Sequence, residues 1–379
     1  MQSFLFVIIR LMSKGKASID RPFLIWTGVL VVAGFFIFSS AAMGLLARSG
    51  SQYSSVTFSQ TVLGLCLGTL AAYLASRIEY KFWRKYAFHL LAFAIVLNIL
   101  VLIPHIGFES GGARRWIVLG GVSFQPSEFL KLGFVVYFAA WAANKKEKIK
   151  DLKQGFVPLL ILLAICGGLL LKEPDTDTFM MIVFAGMAIY LAAGGPWKYI
   201  LGLVVAGVLG LAILAFARPY VMQRITTFVH PDANGKGSSY QIQQSLIAIG
   251  SGGFFGRGFG QSVQKFNFLP EPIGDSIFAV EAEEFGFVGA LGLIALFVIF
   301  ALRGLKIASN VPEVFGRLLV VGIVIMIIAQ AFVNIGAMLG VLPLSGITLP
   351  FVSHGGTSLL ITLVEVGIIL AVSKTQKLK

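Results

Sequence analysis

Long apolar stretches alternate with short polar ones along nearly the whole chain of 379 residues. A membrane-spanning helix needs about 20 predominantly apolar residues, with roughly 17 to 25 tolerated. On that measure the pattern predicts about ten spans. They fall at 23–47, 58–76, 83–103, 127–143, 156–171, 177–193, 197–217, 276–302, 316–340 and 352–373. The turns Lys172 to Thr176 and Gly194 to Pro196 are very short. The one long polar-rich interruption runs from Arg218 to Asp275. The expected fold is an all-α polytopic membrane protein, a single membrane domain over 1–379 with a large extracytoplasmic loop, 218–275, between helices 7 and 8.

Composition agrees: 57% of residues are hydrophobic and 12% charged, where soluble domains carry about 25% charge. The net charge of +13 raises nucleic acid as a partner, but its distribution argues against one. Placing both termini and the even-numbered loops inside puts 20 of the 30 Lys and Arg residues on that side. Only 9 fall outside, five of them in the long loop, which translocates largely regardless of charge. Both termini are therefore expected in the cytoplasm and the long loop outside. The run Lys145-Lys146-Glu147-Lys148 reads as a solvated, headgroup-facing loop.

Cys66 and Cys166 lie in apolar runs, and His89, His105, His230 and His354 have no zinc-like spacing, so no protein metal site is expected. Met1 to Met12 is apolar with a lone Arg10, and a basic stretch precedes the first span, which predicts an uncleaved anchor. There is no internal repeat or inverted pairing of interrupted spans, which weakens a secondary-transporter reading.

Ionisable residues inside a span cost about 2.5–3.5 kcal/mol on insertion scales and mark candidate sites. In Gln125-Pro126-Ser127-Glu128-Phe129-Leu130-Lys131, proline and serine read as a helix start. Glu128 and Lys131 then share a helical face and neutralise each other. They form either a structural ion pair or the border of a polar cavity, with Lys131 turned to an anionic ligand. Arg114 and Arg115, after Gly111-Gly112-Ala113 and before Trp116, suit a diphosphate at headgroup depth or ordinary lipid headgroups. The turn Glu173-Pro174-Asp175-Thr176-Asp177 either holds a hard divalent cation or, the favoured reading, caps the next helix.

Within the long loop, Tyr240 to Ile249 reads as an amphipathic helix lying on the membrane. The glycine-dense run Gly250 to Gly260 would allow close backbone approach to a ligand. It matches no nucleotide-binding pattern, so no nucleotide is implied. Asp275 follows, then Glu281, Glu283 and Glu284. Taking Asp275 as 0° on a helix, these fall near −120°, +80° and 180°, roughly, and so form no single acidic stripe. Glu283 would still be about 12 Å along the axis. Asp275 thus acts without a partner carboxylate on its own helix, as a general base of raised pKa, or else it caps the eighth span.

These segments resemble the SEDS proteins of shape, elongation, division and sporulation. The resemblance is carried by Gly112-Ala113-Arg114-Arg115-Trp116-Ile117, Gln125-Pro126-Ser127-Glu128, Tyr240-Gln241, Gln244 to Gly253, Leu269-Pro270-Glu271-Pro272 with Asp275, Leu342 to Gly346, and Leu349 to Ser358. It runs through nearly the whole chain, and Gln264-Lys265 with Leu269-Pro270-Glu271-Pro272 looks most like the FtsW division branch. The resemblance implies a peptidoglycan glycosyltransferase that polymerises lipid II on the outer face of the cytoplasmic membrane. It implies a class B penicillin-binding protein and other divisome or elongasome membrane proteins as partners. Asp275 matches the family's essential aspartate, and Glu128 and Lys131 its cavity-lining pair. Substrate binding would fall to Arg114, Arg115, Glu128, Lys131, Gln244, Ser245, Lys265 and Ser353, and a divalent cation, Mg2+ or Mn2+, is a candidate cofactor. The chain departs from the family at Ile273, Gly274 and Ser276 around the aspartate, in Glu173 to Thr178, and at His354. The competing readings are a lipid II flippase and a non-catalytic divisome scaffold.

Overall fold

The computed structural model describes residues 19–48, 50–110, 113–119, 122–217, 222, 226, 228 and 237–376. The helices in chain order are α1 (Arg21–Arg48), α2 (Gly50–Phe58), α3 (Gly68–Arg77), α4 (Tyr80–Lys85), α5 (Ala87–Val101), α6 (Pro126–Lys145) and α7 (Val157–Lys172). They continue as α8 (Thr176–Ala192), α9 (Trp197–Ala217), α10 (Ser238–Gly252), α11 (Ile277–Asn310), α12 (Val314–Met338) and α13 (Gly356–Ser373). A wider π-helical stretch, Ser59–Leu67, joins α2 to α3.

The apolar stretches expected from the sequence fall mostly on helices, residues 102–103 and 352–355 lying outside them, because a backbone in hydrocarbon must satisfy its polar groups within the segment. Six of the described helices are long and apolar enough to cross a membrane: Arg21–Leu46, Tyr53–Arg77, Leu152–Lys172, Ile277–Asn310, Val314–Met338 and Gly356–Ser373. Ala87–Val101, Thr176–Ala192 and Trp197–Gly210 are shorter apolar helices. Large apolar side chains such as Trp197, Phe216 and Leu302 face outward, a surface suited to lipid tails that are as apolar as leucine. Inside, α13 packs closely on α3: a Cβ at Gly367 would sit 2.3 Å from the carbonyl oxygen of Ala72.

Two features were not anticipated. The segment before α6 is a three-stranded antiparallel sheet, β1 (Gly107–Ser110), β2 (Ala113–Leu119) and β3 (Val122–Phe124), with Ile117 opposite both Gly107 and Phe124. Its short run of aromatic and β-branched residues, Trp116-Ile117-Val118, favours strand. Gly111 and Gly112 lie outside the described residues.

The second concerns the glycine run. Of the long loop, most of 218–236, His230 included, lies outside the described residues, and the helix expected over 240–249 is α10. The glycines that follow pack on protein backbone. α11 is two helices meeting at Gly286, where φ is 68° and ψ −164°. The carbonyls of Glu283 and Glu284 accept from Arg257 N (3.0 Å) and Gly258 N (2.9 Å), while Phe287 N donates to Gly253 O at 2.9 Å. A Cβ at Gly256 would lie 2.1 Å from the carbonyl oxygen of Glu284, so only glycine fits this loop-on-helix contact.

Candidate functional site

A cavity of about 560 Å³ opens where the sheet, the starts of α6 and α8, the segment before α11 and the loop between α12 and α13 converge. Its walls include Arg115, Trp116, Glu128, Lys131, Asp177, Glu271, Asp275, Gln330 and His354. Four residues singled out in the sequence thus meet in one space: Asp275, Arg115, Glu128 and Lys131.

Asp275 does not cap α11. The residue before the helix is Ser276, whose side chain makes no capping bond. The Asp275 carboxylate instead accepts a hydrogen bond from Gln241 Nε2 on α10, at 2.9 Å to Oδ1. The backbone on either side is clamped. Asn334 Nδ2 of α12 donates to the Asp275 carbonyl at 2.8 Å, and Ser353 Oγ donates to the Gly274 carbonyl at 2.6 Å. His354 N donates to the Ile273 carbonyl at 2.7 Å. Burial pushes the Asp275 carboxyl up to about 7, opposed by the Gln241 hydrogen bond and reinforced by the charge of Glu271. A carboxyl poised near neutrality, half-buried and facing a cavity, has the character of a general base.

Lining the same cavity, Lys131 Nζ lies 2.9 Å from Glu128 Oε2, and both residues are buried, at 4% and 6% exposure. Lys131 also donates to Gln330 Oε1 at 2.9 Å, and Gln330 Nε2 donates to the Thr348 carbonyl at 3.0 Å. Removing one partner of such a buried pair typically costs about 3–5 kcal/mol. Ser127 does not cap α6: its hydroxyl donates to Asp175 Oδ2 at 3.0 Å. Asp175 caps α8 by accepting from Thr178 N at 3.3 Å, as favoured for that acidic turn.

Arg115 reaches across to the same turn, donating from Nε to the Glu173 carbonyl at 3.2 Å and from its terminal nitrogen to the Pro174 carbonyl. These partners are neutral, so its charge is not consumed by them. Glu173 is 1% exposed and neither carboxylate oxygen has a hydrogen-bond partner among the described residues. Burial, then the charge of Asp175, pushes its carboxyl up to about 8. His354 stacks on Phe38, with ring centroids 6.1 Å apart, and burial lowers its imidazole to about 4, so it is neutral at pH 7.

The other residues expected at the site lie elsewhere. Arg114 pairs with Glu109 at 2.9 Å on the exposed side of the sheet. Lys265 is fully buried and pairs with Glu284 at 2.7 Å, with Ser40 Oγ 2.9 Å from its Nζ. Glu283 receives Ser262 Oγ at 2.6 Å and the amides of Val263 and Gln264. Lys265, Glu283 and Glu284 therefore fasten the loop to α11. Ser245 is buried, donating to the Gln241 carbonyl at 2.8 Å, and neither it nor Gln244 lines the cavity. Ser353 supports the Asp275 segment from behind.

Sequence reasoning missed Gln241, Gln330 and Asn334. Gln241 is one turn before Ser245 on the same face of α10, which was the available signal. Gln330 and Asn334, i and i+4 on an otherwise apolar helix, carried the polar-in-membrane signal applied to Glu128 but not to them.

Carboxylates outnumber cations on the cavity wall, with Glu128, Asp175, Asp177, Glu271 and Asp275 facing Arg115 and Lys131. Among the described residues no group of three or more His, Cys, Asp or Glu side chains could hold a metal ion on its own.

Comparison with known proteins gives consistent relatives. The family model described as "Cell cycle protein", FtsW/RodA/SpoVE, matches residues 21–378. Stage V sporulation protein E of Bacillus subtilis (strain 168) is 36% identical over 96% of this chain and 99% of its own length. A protein of Coxiella burnetii (strain RSA 493 / Nine Mile phase I) named probable peptidoglycan glycosyltransferase FtsW is 39% identical over 94% and 96%. Among solved structures, a chain of a peptidoglycan synthase complex that coordinates polymerization and crosslinking superposes with a TM-score of 0.73. It is 28% identical and covers 90% of this chain and 96% of that one. The rod shape determining protein RodA of Thermus thermophilus gives a TM-score of 0.68 at 28% identity, over 95% and 98%. The chain belongs to the FtsW/RodA/SpoVE (SEDS) family, on its FtsW branch.

Proposed function

We propose that this chain is a peptidoglycan glycosyltransferase that joins lipid II units into β-1,4 glycan strands. The observation that carries the reading is the meeting of Asp275, with its carboxyl raised to about 7, and Arg115 in one cavity at the helix ends. The names of relatives with full-length matches support it.

Asp275 takes the proton from the 4-hydroxyl of the acceptor's N-acetylglucosamine. The oxygen attacks the anomeric carbon of the donor's muramyl unit as the bond from that carbon to the lipid diphosphate breaks. The product bond is β where the leaving group was α, so the step inverts. The diphosphate leaves with the bonding electron pair, and Arg115 faces its negative charge. Lys131 already has Glu128 beside it and contributes mainly by ordering the wall.

The acid-rich wall makes a divalent cation, Mg2+ or Mn2+, a fitting companion to the diphosphate. Such ions are commonly held by one or two carboxylates plus substrate phosphates. Asp177 and Glu271 would hold it, and it would supply charge neutralisation of the leaving group.

The bilayer is proposed to be the bacterial cytoplasmic membrane, with both termini inside and the cavity opening outward, as the Lys/Arg asymmetry argues. The proposed partners are a class B penicillin-binding protein supplying crosslinking, and other membrane proteins of the division or elongation machinery. The synthase-complex neighbour supports a partner of that kind.

Reconstitution in vesicles with labelled lipid II and Mg2+ tests the function, with and without the class B partner. Glycan chains on a gel are the expected product. Transbilayer movement of lipid II without polymer in either preparation would overturn the reading in favour of a flippase.

A further inference from the structure

A second cavity, of about 580 Å³, lies between α1 and the outer part of α11, on the lipid-facing side of the bundle. Ala33, Phe36 and Ile37 form one wall and Phe285, Gly289, Gly292, Leu293 and Leu296 the other, with Phe259 of the glycine loop at one end. Its size is that of an ordinary ligand pocket. Its walls are hydrocarbon apart from one side chain, Glu281.

Glu281 is 3% exposed, and its Oε2 has no hydrogen-bond partner among the described residues. The nearby Glu284 is already satisfied by Lys265, Ser40 and the amide of Gly260. An unpaired carboxyl oxygen in apolar surroundings is costly, and in a membrane span such a group is a site candidate by default. It accepts from an O–H or N–H donor whether or not it is ionised. Nothing in the proposed transfer uses it, and it lies on α11 well beyond Asp275.

The arrangement along the helix is directional. Glu281 stands about 6 Å along the axis from the start of α11, close to the loop end. Beyond the break at Gly286, Gly289, Gly292 and Leu296 follow over roughly 10 Å of the second helix, toward the middle of the span. A polar acceptor near the loop and a hydrocarbon slot running inward match the orientation of one amphiphile in a leaflet. The missing side chain of Gly292 leaves the slot its depth, since a Cβ there would meet nothing within 4 Å, whereas at Gly289 a Cβ would lie 2.1 Å from Phe285 Cβ and 2.9 Å from Glu281 Oε1.

We propose that this groove binds a single hydrocarbon chain of a membrane amphiphile whose head carries a hydroxyl or amine donor, held by Glu281. The occupant seats where α1, the kinked α11 and the glycine loop meet, and so bears on the element that leads to Asp275.

The full-length protein in phosphatidylcholine vesicles is irradiated with two probes, a long-chain alcohol carrying a diazirine in its chain and the methyl ether of the same alcohol. Labelled peptides are located by mass spectrometry. The alcohol is expected to label residues 33–37 and 285–296 about fivefold more than the ether, the ratio expected of one hydrogen bond. Glu281→Leu should reduce that preference to about one, with the groove still labelled. Gly292→Leu, whose Cβ would meet nothing within 4 Å and whose side chain would enter the slot, should abolish labelling by both probes. Folding of each variant is checked by monodisperse elution and thermal unfolding, and the wild-type comparison stands without either. Equal labelling by alcohol and ether in the wild type, no labelling of these segments, or labelling unchanged by Gly292→Leu would overturn the proposal. In the last two cases the face is left to a partner's transmembrane helix.

Discussion

Gln241 Nε2 donates to Asp275 Oδ1 at 2.9 Å and lies equally close, 2.9 Å, to Ser276 Oγ. One amide from the long loop thus touches both the proposed base and the residue just before α11. The hydrogen bond favours the charged carboxylate, against the burial that disfavours it. The position of α10 is therefore coupled to the acidity of Asp275.

That coupling predicts a shifted pH profile for Gln241→Leu. With the lowering contribution gone, Asp275 should hold its proton to higher pH, and the acid limb of polymerisation should move upward. Lipid II turnover measured between pH 5.5 and 9 checks this. An acid limb unmoved while kcat falls would mean that Gln241 only supports the fold.

In the unaltered protein, a base whose carboxyl sits near 7 is active when deprotonated. The rate should rise with pH through about 7, instead of being flat from pH 5 upward as for an ordinary aspartate near 3.9. Pre-steady-state turnover across that window distinguishes the two.

Glu173 carries a carboxyl raised to about 8 by burial. A raised folded-state value gives stability that is full below the unfolded value, about 4.3, and is lost as pH climbs through the folded one. Glu173→Gln keeps the shape without the ionisation. Its melting temperature should fall less steeply than that of the wild type between roughly pH 4.3 and 8, the fall due to Asp275 remaining in both. Parallel curves would show that Glu173 has a partner in solution.

Lys265 belongs to a fully buried pair with Glu284 that fastens the loop to α11. Lys265→Met should destabilise the protein by about 3–5 kcal/mol by leaving Glu284 unpaired, and Lys265→Met with Glu284→Leu should recover much of that. Thermal unfolding of the three variants tests it. A stable single variant with a raised KM would return Lys265 to substrate binding.

The sequence made the helical frame legible because hydropathy and length determine helices in a bilayer. It also made Asp275, Arg115 and the Glu128–Lys131 pair legible, because ionisable groups stand out against an apolar background. What it hid was partnership. Lys265 reads as a loop cation until Glu284 is seen beneath it, and Arg114 and Arg115 read alike until the sheet turns one toward Glu109. The glycine run reads as a ligand cradle until the break at Gly286 supplies the backbone it packs against. Gln241, Gln330 and Asn334 are neutral amides whose roles depend on which helix face meets which loop, a matter settled by tertiary packing.

Asp275 is proposed as the base for glycan polymerisation. The most direct measurement is the rate of chain formation from labelled lipid II by the purified protein with its class B partner, wild type beside Asp275→Asn. The substitution keeps the size and the hydrogen-bonding reach of the side chain but cannot take up the proton. The expected loss is about 10²- to 10⁴-fold with folding intact. Chains formed at an undiminished rate by Asp275→Asn would contradict it.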